Sequence, residues 1–196
     1  MAYDARVAEH VGHARRSHHD VARAGAHAVT NDAHNLPLTI AAIHGHCVGG
    51  GLVLAASCDL RLAANTASFS IPEVDLGIPL AWGGIPRLVR EIGPALTKEL
   101  VLTCRPFTPD EARAVRFLNE VVPEGELFRR ADELAASLAE KPALSLRVTK
   151  QQVNAVMEEM GSTARNTIDG DVLSAAMADP ESRAASRRYL EQRRRK

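Results

Sequence analysis

The chain has 196 residues, enough for one domain with a sizeable buried core. Its 24 basic and 24 acidic side chains cancel, so no overall field favours nucleic acid or an anionic membrane surface. No apolar run approaches the roughly 18 residues of a membrane span, and residues 1–30 are too polar for a secretory signal. We therefore expect a cytoplasmic protein that binds neither nucleic acid nor a membrane.

The first part of the chain predicts one helix followed by short strands. Residues 4–33 space their apolar side chains loosely at helical period and contain no proline. Residues 38–43 form a continuous apolar run, which is typical of a strand buried on both faces. Residues 52–57 then indicate a short buried helix, and residues 59–63 and 67–71 predict two further strands.

From Gly83 onward the pattern is mainly helical. We predict helices over 85–92 and 94–103, and a third that begins at the N-cap Thr108 with Pro109 in its first position. A short strand is expected over 120–122. The remaining helical patterns cover 125–140, 143–160, 163–178 and 181–194, with breaks near Pro142, Gly161 and Pro180.

The three cysteines, Cys47, Cys58 and Cys104, are an odd number set in apolar runs. This pattern favours reduced thiols in the core of an intracellular protein over a disulfide framework. We predict that all three are small core residues.

Three consecutive glycines, Gly49 to Gly51, join the buried strand to the short helix. A dinucleotide fingerprint would need a third glycine where Leu54 stands, and a Walker loop would need a lysine, yet none precedes Lys98. The G-x-S-x-G motif of serine hydrolases is absent. What remains is a backbone donor at Gly49 or Gly50, at a helix N-terminus, for negative charge on a carbonyl oxygen. Glycines that only permit close packing of strand and helix are an equal alternative.

Several motifs in order resemble the crotonase family, the enoyl-CoA hydratase/isomerase superfamily. The resemblance runs from Pro37 to about Pro123 and continues more loosely through the C-terminal helices. It implies an α/β fold with the repeated ββα core of ClpP and crotonase, shortened at its N-terminus, over residues 1–123. Residues 124–196 would form a helical trimerisation region. The matching motifs are Ala41-Ala42-Ile43-His44-Gly45, the three glycines, Cys58-Asp59, Phe69-Ser70-Ile71-Pro72-Glu73, Leu76-Gly77, Gly83-Gly84 and Arg87-Leu88.

The resemblance also implies an activity: an acyl-CoA thioester binds with its carbonyl between two backbone N–H groups and reacts through a stabilised enolate. Gly50 would supply one of these donors. No cofactor is implied beyond coenzyme A as part of the substrate. The family resemblance further implies a lyase or isomerase of fatty acid metabolism that assembles as a homotrimer or a dimer of trimers.

Two positions match the glutamates of the family's hydratases, and only one of them is acidic here. Glu73 is present, whereas the upstream position is Val53, which cannot exchange a proton. A lone glutamate resembles the arrangement of members that shuttle a proton between carbons, as in double-bond isomerisation. We expect an apolar pocket to raise the pKa of Glu73; its predicted lining is Ile71, Val74, Ile78 and Trp82. A surface or capping carboxylate is the alternative for Glu73.

In the family, the first oxyanion donor and much of the coenzyme A pocket come from strands before the long helix at which this chain begins. Three outcomes stay open: a truncated reading of a longer protein, a site completed by other means, or a fold that no longer catalyses. The functional hypotheses are therefore an enoyl-CoA isomerase or compromised hydratase, and, as the alternative, an inactive acyl-CoA-binding or assembly protein.

Other residues were weighed as site candidates. Gly49, Val53 and Trp82 are predicted to contact the substrate, with ordinary core packing an equal alternative for Trp82. His44 and His46 flank the turn and are expected to be structural. The basic tail over 187–196 faces either the phosphates of coenzyme A or solvent, and the solvated helix end is favoured. For four further histidines a solvated helix face is favoured over a metal site, so we predict no metal there. They are His10, His13, His18 and His19.

Overall fold

The computed structural model describes residues 38–194, so the predicted helix over 4–33 and the four histidines on it lie outside the described residues. The described part has five strands, seven α-helices and two 3-10 helices. The strands are β1 (Ile40–Ile43), β2 (His46–Val48), β3 (Leu60–Ala64), β4 (Ser68–Ser70) and β5 (Glu120–Val122). The helices are α1 (Gly50–Ser57), α2 (Gly84–Thr103), α3 (Pro109–Ala114), α4 (Leu127–Ala139), α5 (Ala143–Met160), α6 (Asp169–Ala178) and α7 (Pro180–Arg194).

The strands form two small parallel sheets. One has the order β1-β3-β5, with Ile40 opposite Leu60 and Ala63 opposite Val121. The other pairs β2 with β4. Strand β2 was not predicted from the sequence; it has three residues, and the first of them is exposed. The chain passes from the first sheet to the second at Gly45, where φ is +60° and a side chain would be strained.

The hydrophobic core lies between these sheets and the helices α1 and α2. Helix α1 buries side chains almost all round, as its continuous apolar sequence requires. Phe69 of β4 stacks on Phe107 with ring centroids 5.3 Å apart and meets the edge of Phe117 at 6.3 Å. The glycine turn connects β2 to α1, so it lies beside this core.

The two helical segments predicted over 85–92 and 94–103 are confirmed and join in the single kinked helix α2. Gly93 has φ +78° and ψ 163° inside it, and Pro94 follows. A proline cannot donate the helical hydrogen bond, so the kink falls at this step. The predicted cap of α3 is also confirmed, since the Thr108 side chain accepts a hydrogen bond from the Glu111 N–H at 3.1 Å.

The C-terminal region is helical, with one difference from the prediction. Residues Thr163–Ile168 form a 3-10 helix, and α6 begins only at Asp169. The break predicted near Pro180 is confirmed, because α6 ends at Ala178 and α7 begins at Pro180. Several large apolar side chains on α5 to α7 and on the 3-10 helix between them are exposed. They include Leu144, Val153, Val156, Met160, Ile168 and Leu190.

A buried ion pair fixes α5 to the sheet. Asp59 accepts hydrogen bonds from the Thr39 N–H at 2.7 Å, the Thr39 hydroxyl at 2.8 Å and the Lys150 ammonium at 2.8 Å. The Lys150 side chain is 2% exposed. The Cys58-Asp59 motif therefore has a structural task, which is to hold α5 against the start of β1.

All three cysteines are free thiols, and Cys47 and Cys104 are buried as predicted. The prediction is wrong in part for Cys58, which is only half-buried at the end of α1. Burial raises the pKa of the Cys47 thiol to about 12. In residues 38–194 no helix has both the length and the apolar character needed to cross a membrane.

Candidate active site

The glycine turn leaves backbone donors at the start of α1. Gly49 has φ +54° and ψ −117°, and its own N–H donates to the Ser70 carbonyl at 3.0 Å. Its carbonyl accepts from the N–H groups of Leu52 and Val53. The N–H groups of Gly50 and Gly51 have no carbonyl to bind within the helix, because they belong to its first turn. Of the two predicted donors, Gly49 is thus already bonded, and Gly50 is the one whose N–H the helix leaves without an acceptor.

Glu73 lies directly against this turn. It follows β4 at Pro72, and the residue is 9% exposed, so the surface alternative does not hold. Its Oε1 is 2.3 Å from the position a Cβ would take on Gly49, which means that only glycine leaves room for the carboxylate. Its Oε2 is buried and has no hydrogen-bond partner among the described residues. Gly49 thus leaves the space that the Glu73 side chain occupies.

Burial raises the pKa of Glu73 above its ordinary value of 4.5, and the residue's own backbone N–H lowers it by a smaller amount. Desolvation disfavours the charged form of a carboxyl group, so this direction follows from the site's location. Of the residues predicted to line its pocket, Ile71 is fully buried, and Ile78 and Trp82 are partly buried. The prediction is wrong for Val74, which is 41% exposed because it lies in the turn that follows Glu73.

Trp82 covers the neighbouring glycine. The benzo edge of its ring lies 2.3 Å from the position of a Cβ on Gly50. Its backbone has φ +59°, a rare value for a residue with a side chain. The indole Nε1 is buried and has no hydrogen-bond partner in the part of the chain that the structure describes. The structure therefore places Trp82 at the glycine turn, and its contact with a substrate stays a prediction.

The crotonase resemblance implies that Val53 stands where hydratases have their second carboxylate. Val53 is fully buried on α1. Its Cγ2 lies 2.8 Å from the position of a Cβ on Gly84, and Leu80 packs at 2.9 Å from that same position. These surroundings are apolar, so this wall of the site offers no second proton carrier.

Two contacts from the C-terminal helices hold the site, and the sequence analysis missed both. The Asp169 carboxylate, at the start of α6, accepts a hydrogen bond from the Gly83 N–H at 2.8 Å, next to Trp82. The Ser186 hydroxyl of α7 donates to the Leu76 carbonyl in the turn after Glu73. These partners are 86 and 110 residues apart in sequence, and no local motif marks them.

The remaining candidates contact other groups. His44 is exposed and stacks edge-on against Phe128 at 5.7 Å, and His46 shares a hydrogen bond with the Ser68 hydroxyl at 2.7 Å. A cavity of about 540 Å³ lies elsewhere, between α5 and the end of α1, and its lining includes Asp59 and Lys150.

Comparison with known proteins settles the family. The model of the Enoyl-CoA hydratase/isomerase family matches residues 8–196. The chain belongs to this family. The crotonase resemblance that the motifs indicate is thereby confirmed, and with it the α/β fold class.

Two relatives in this family show how much of the chain is similar to known proteins. It is 35% identical over 154 residues to a crotonyl-CoA hydratase of Syntrophomonas wolfei, covering 79% of this chain and 59% of that protein. It is 40% identical over 136 residues to a mitochondrial methylglutaconyl-CoA hydratase of Homo sapiens, covering 67% of this chain and 40% of that protein. The chain spans about half the length of the curated relatives it matches.

Solved structures of the family have the same fold. An enoyl-CoA hydratase from Bacillus anthracis superposes with a TM-score of 0.68 at 28% identity, covering 82% of this chain and 65% of that one. An enoyl-CoA hydratase from Mycobacterium avium subsp. paratuberculosis superposes with a TM-score of 0.81 at 21% identity, covering 90% of this chain and 71% of that one. At this identity the similarity shows the fold alone.

Proposed function

We propose that this chain acts on acyl-CoA thioesters, with the Gly50 N–H binding the thioester oxygen and Glu73 moving a proton on the acyl chain. One observation supports this proposal above all. A buried carboxylate with an unpaired oxygen packs on the same glycine turn whose N–H groups are left over at the start of α1. A base and an oxyanion donor on one turn are the two groups that enolate formation needs.

The chemistry follows from these two groups. The Glu73 carboxylate removes a proton from an acyl carbon next to the carbonyl or conjugated with it, and the electron pair moves onto the thioester oxygen. The Gly50 N–H stabilises that oxygen, and removing one such donor typically costs on the order of 100- to 1000-fold in rate. Glu73 then returns its proton to a different atom of the substrate.

A single carboxylate suffices for these reaction steps, because it acts first as the base and then as the acid. The apolar contacts of Val53 with Leu80 and Gly84 leave no other proton carrier on that wall. Double-bond isomerisation needs only one shuttle of this kind. The raised pKa of Glu73 supports the assignment, since a carboxylate with a higher pKa is a stronger base and removes a proton from carbon more readily.

We extend the proposal to assembly and compartment. The apolar side chains exposed on α5 to α7 favour self-association as a homotrimer or a dimer of trimers, because large uncovered apolar surface is unfavourable in water. In this proposal residues 1–123 form the core unit and residues 124–196 the assembling unit of a cytoplasmic protein. Sedimentation velocity tests the assembly, and a monomer at micromolar concentration would contradict it.

The test of the proposed function replaces Glu73 by glutamine. Glutamine keeps the size of the side chain and removes its basicity, so turnover of 2-enoyl or 3-enoyl thioesters should fall by about 100- to 10,000-fold. Asp75→Asn is the matched control, because Asp75 is an exposed carboxylate only two residues away. Its turnover should equal that of the wild type.

Two results would contradict the proposal. Equal activity in Glu73→Gln and the wild type would remove Glu73 from the mechanism. Binding of acyl-CoA without turnover of any enoyl thioester would favour the alternative of an inactive acyl-CoA-binding protein.

A further inference from the structure

Glu73 stands at the start of a turn that is closed by its own backbone. The Leu76 N–H donates to the Pro72 carbonyl at 3.0 Å. Two residues further on, the Ile78 N–H donates to the Glu73 carbonyl at 2.9 Å. Val74, in the same turn, is exposed. Backbone hydrogen bonds near solvent open easily unless another element packs on them, so the elements that pack on this turn decide where the Glu73 side chain points.

Helix α7 packs on the turn at two points. Gly77 has φ +71°, and a Cβ on it would lie 2.5 Å from the carbonyl oxygen and 2.6 Å from the Cα of Ser182. Only a residue without a side chain lets the two backbones come this close. The Ser186 hydroxyl donates to the Leu76 carbonyl. Residues four apart lie on one face of a helix, so α7 contacts the turn with a single face.

The end of α7 that meets Gly77 is capped. The Asp179 carboxylate accepts a hydrogen bond from the Ser182 N–H at 2.8 Å. The Asp179 carbonyl accepts from the Arg183 N–H at 3.0 Å, as expected for a residue that begins a helix. Pro180 follows in the first helical position, where its fixed φ suits the helix. The helix end at Gly77 is therefore held in place by its own first turn.

The turn also lies beside the end of α2. Burial raises the pKa of the Cys104 thiol there, the backbone N–H of Asp75 lowers it, and the charges of Asp75 and Glu73 raise it. On α7 the charged side chains on either side of Ser182, those of Glu181 and Arg183, are exposed. Backbone atoms and one hydroxyl group thus make the contact with the turn. Uncharged substitutions test this contact without changing the charges around Glu73.

We propose that α7 positions Glu73 for proton transfer, with Ser186 as the positioning residue and Gly77 as the point that admits the helix. The inference rests on the proposed function and deepens it, because Ser186 acts through the turn instead of on the substrate. The Glu73 carboxylate fits a space that only glycine leaves at position 49. A turn that shifts would move the carboxylate out of that space, and a misplacement of about 1 Å costs on the order of 100-fold in rate.

Loss of positioning differs measurably from loss of binding. The Gly50 N–H belongs to the first turn of α1, and neither of the two α7 contacts involves that residue. Displacing α7 should therefore lower kcat and kcat/KM by the same factor and leave KM unchanged, which is the pattern of an interaction needed only in the transition state. A general loss of folded protein would be visible separately in the circular dichroism spectrum.

The first test compares Ser186→Ala with Ser186→Thr. Alanine removes the donor, so kcat for 2-enoyl or 3-enoyl thioesters should fall about 10-fold or more at constant KM. Threonine keeps the hydroxyl and should restore kcat to nearly the wild-type value. Hydrogen exchange, measured by mass spectrometry on the peptide over 72–80, reports the turn itself. Its amides should exchange faster in Ser186→Ala and return to the wild-type rate in Ser186→Thr.

The second test compares Gly77→Ala with Gly93→Ala. Gly93 also has a positive φ, +78°, but a Cβ there meets nothing within 4 Å. Both variants carry the same kind of backbone strain and should melt at a lower temperature than the wild type. Only Gly77→Ala pushes α7 away from the turn, so only this variant should lose turnover, by about 100-fold, and show faster exchange over 72–80. If Gly77→Ala does not fold, the Ser186 pair still decides.

The possible failures have different consequences. If the wild type is active and Ser186→Ala keeps its kcat, or if Ser186→Thr does not restore it, the positioning role is overturned and the proposed function stands. A fall in kcat without faster exchange over 72–80 also overturns it, because the turn would then be undisturbed. A wild type without turnover of any enoyl thioester contradicts the proposed function, and the positioning role fails with it.

Discussion

Replacing Gly49 by alanine should reduce both the stability of the fold and the activity of the site. The backbone angles of Gly49, φ +54° and ψ −117°, lie where residues with a Cβ are strained, at a cost of about 1–3 kcal/mol. In a chain of this length that corresponds to a fall of about 2–12 °C in Tm. The added Cβ would lie 2.3 Å from Glu73 Oε1, although ordinary contact begins at 3.4 Å. The carboxylate must therefore move by roughly 1 Å, a displacement that costs on the order of 100-fold in rate.

Calorimetry and the enoyl thioester assay measure the two effects, and Gly51→Ala is the matched control. A Cβ on Gly51 meets nothing within 4 Å, and alanine is favoured over glycine in a helix by up to about 1 kcal/mol. That variant should keep its activity and melt at the same temperature or slightly higher. Equal stability and equal turnover in the two alanine variants would refute the placement of Glu73 on Gly49.

Three further predictions concern pH and the contacts that hold the site. Because burial raises the pKa of Glu73, kcat/KM should fall on acidification with a midpoint above 4.5; stability should fall as pH rises through the same range, since the folded state holds the proton longer. A midpoint at or below 4.5 would contradict this. Asp169→Ala should shift the fluorescence of the single tryptophan and raise KM, because the Gly83 N–H loses its acceptor, whereas Asp169→Asn should restore both. Lys150→Ala should cost about 1–3 kcal/mol in urea unfolding, because Asp59, whose side chain is 16% exposed, then keeps only its two hydrogen bonds from Thr39; an unchanged free energy of unfolding would show that the pair does not stabilise the fold.

The sequence predicted those elements whose signal is local. The strand before the glycines, the buried helix after them and the cap at Thr108 all depend on neighbouring residues, and these elements are confirmed. The predicted burial of that strand on both faces is wrong, because β1 lies at the edge of the described sheet and three of its four residues are only partly buried. Strand β2 was missed because three residues next to a glycine turn carry no period that can be recognised. The start of α6 was placed too early because helical spacing does not separate a 3-10 helix from an α-helix.

For the site, the sequence predicted which residues are present, and the structure added how they are held. Glu73 and Trp82 were named from motif and resemblance, and both lie on the glycine turn. The bonds from Asp169 and Ser186 could not be predicted, because they join segments of the chain far apart in sequence. Val74 was misplaced for a related reason: a turn decides which side chain faces the core, and the type of this turn could not be read from its residues.

The most direct test of the central claim is hydrogen exchange at C2 of butyryl-CoA in D₂O, followed by mass spectrometry. This saturated thioester has no double bond to move and no water to lose, so exchange reports only enolate formation at Gly50 with Glu73 as base. We predict that deuterium enters C2 with the wild-type protein and that the rate falls to background with Glu73→Gln. Exchange at the same rate in both proteins, or no exchange in the wild type when butyryl-CoA is bound, would contradict the account.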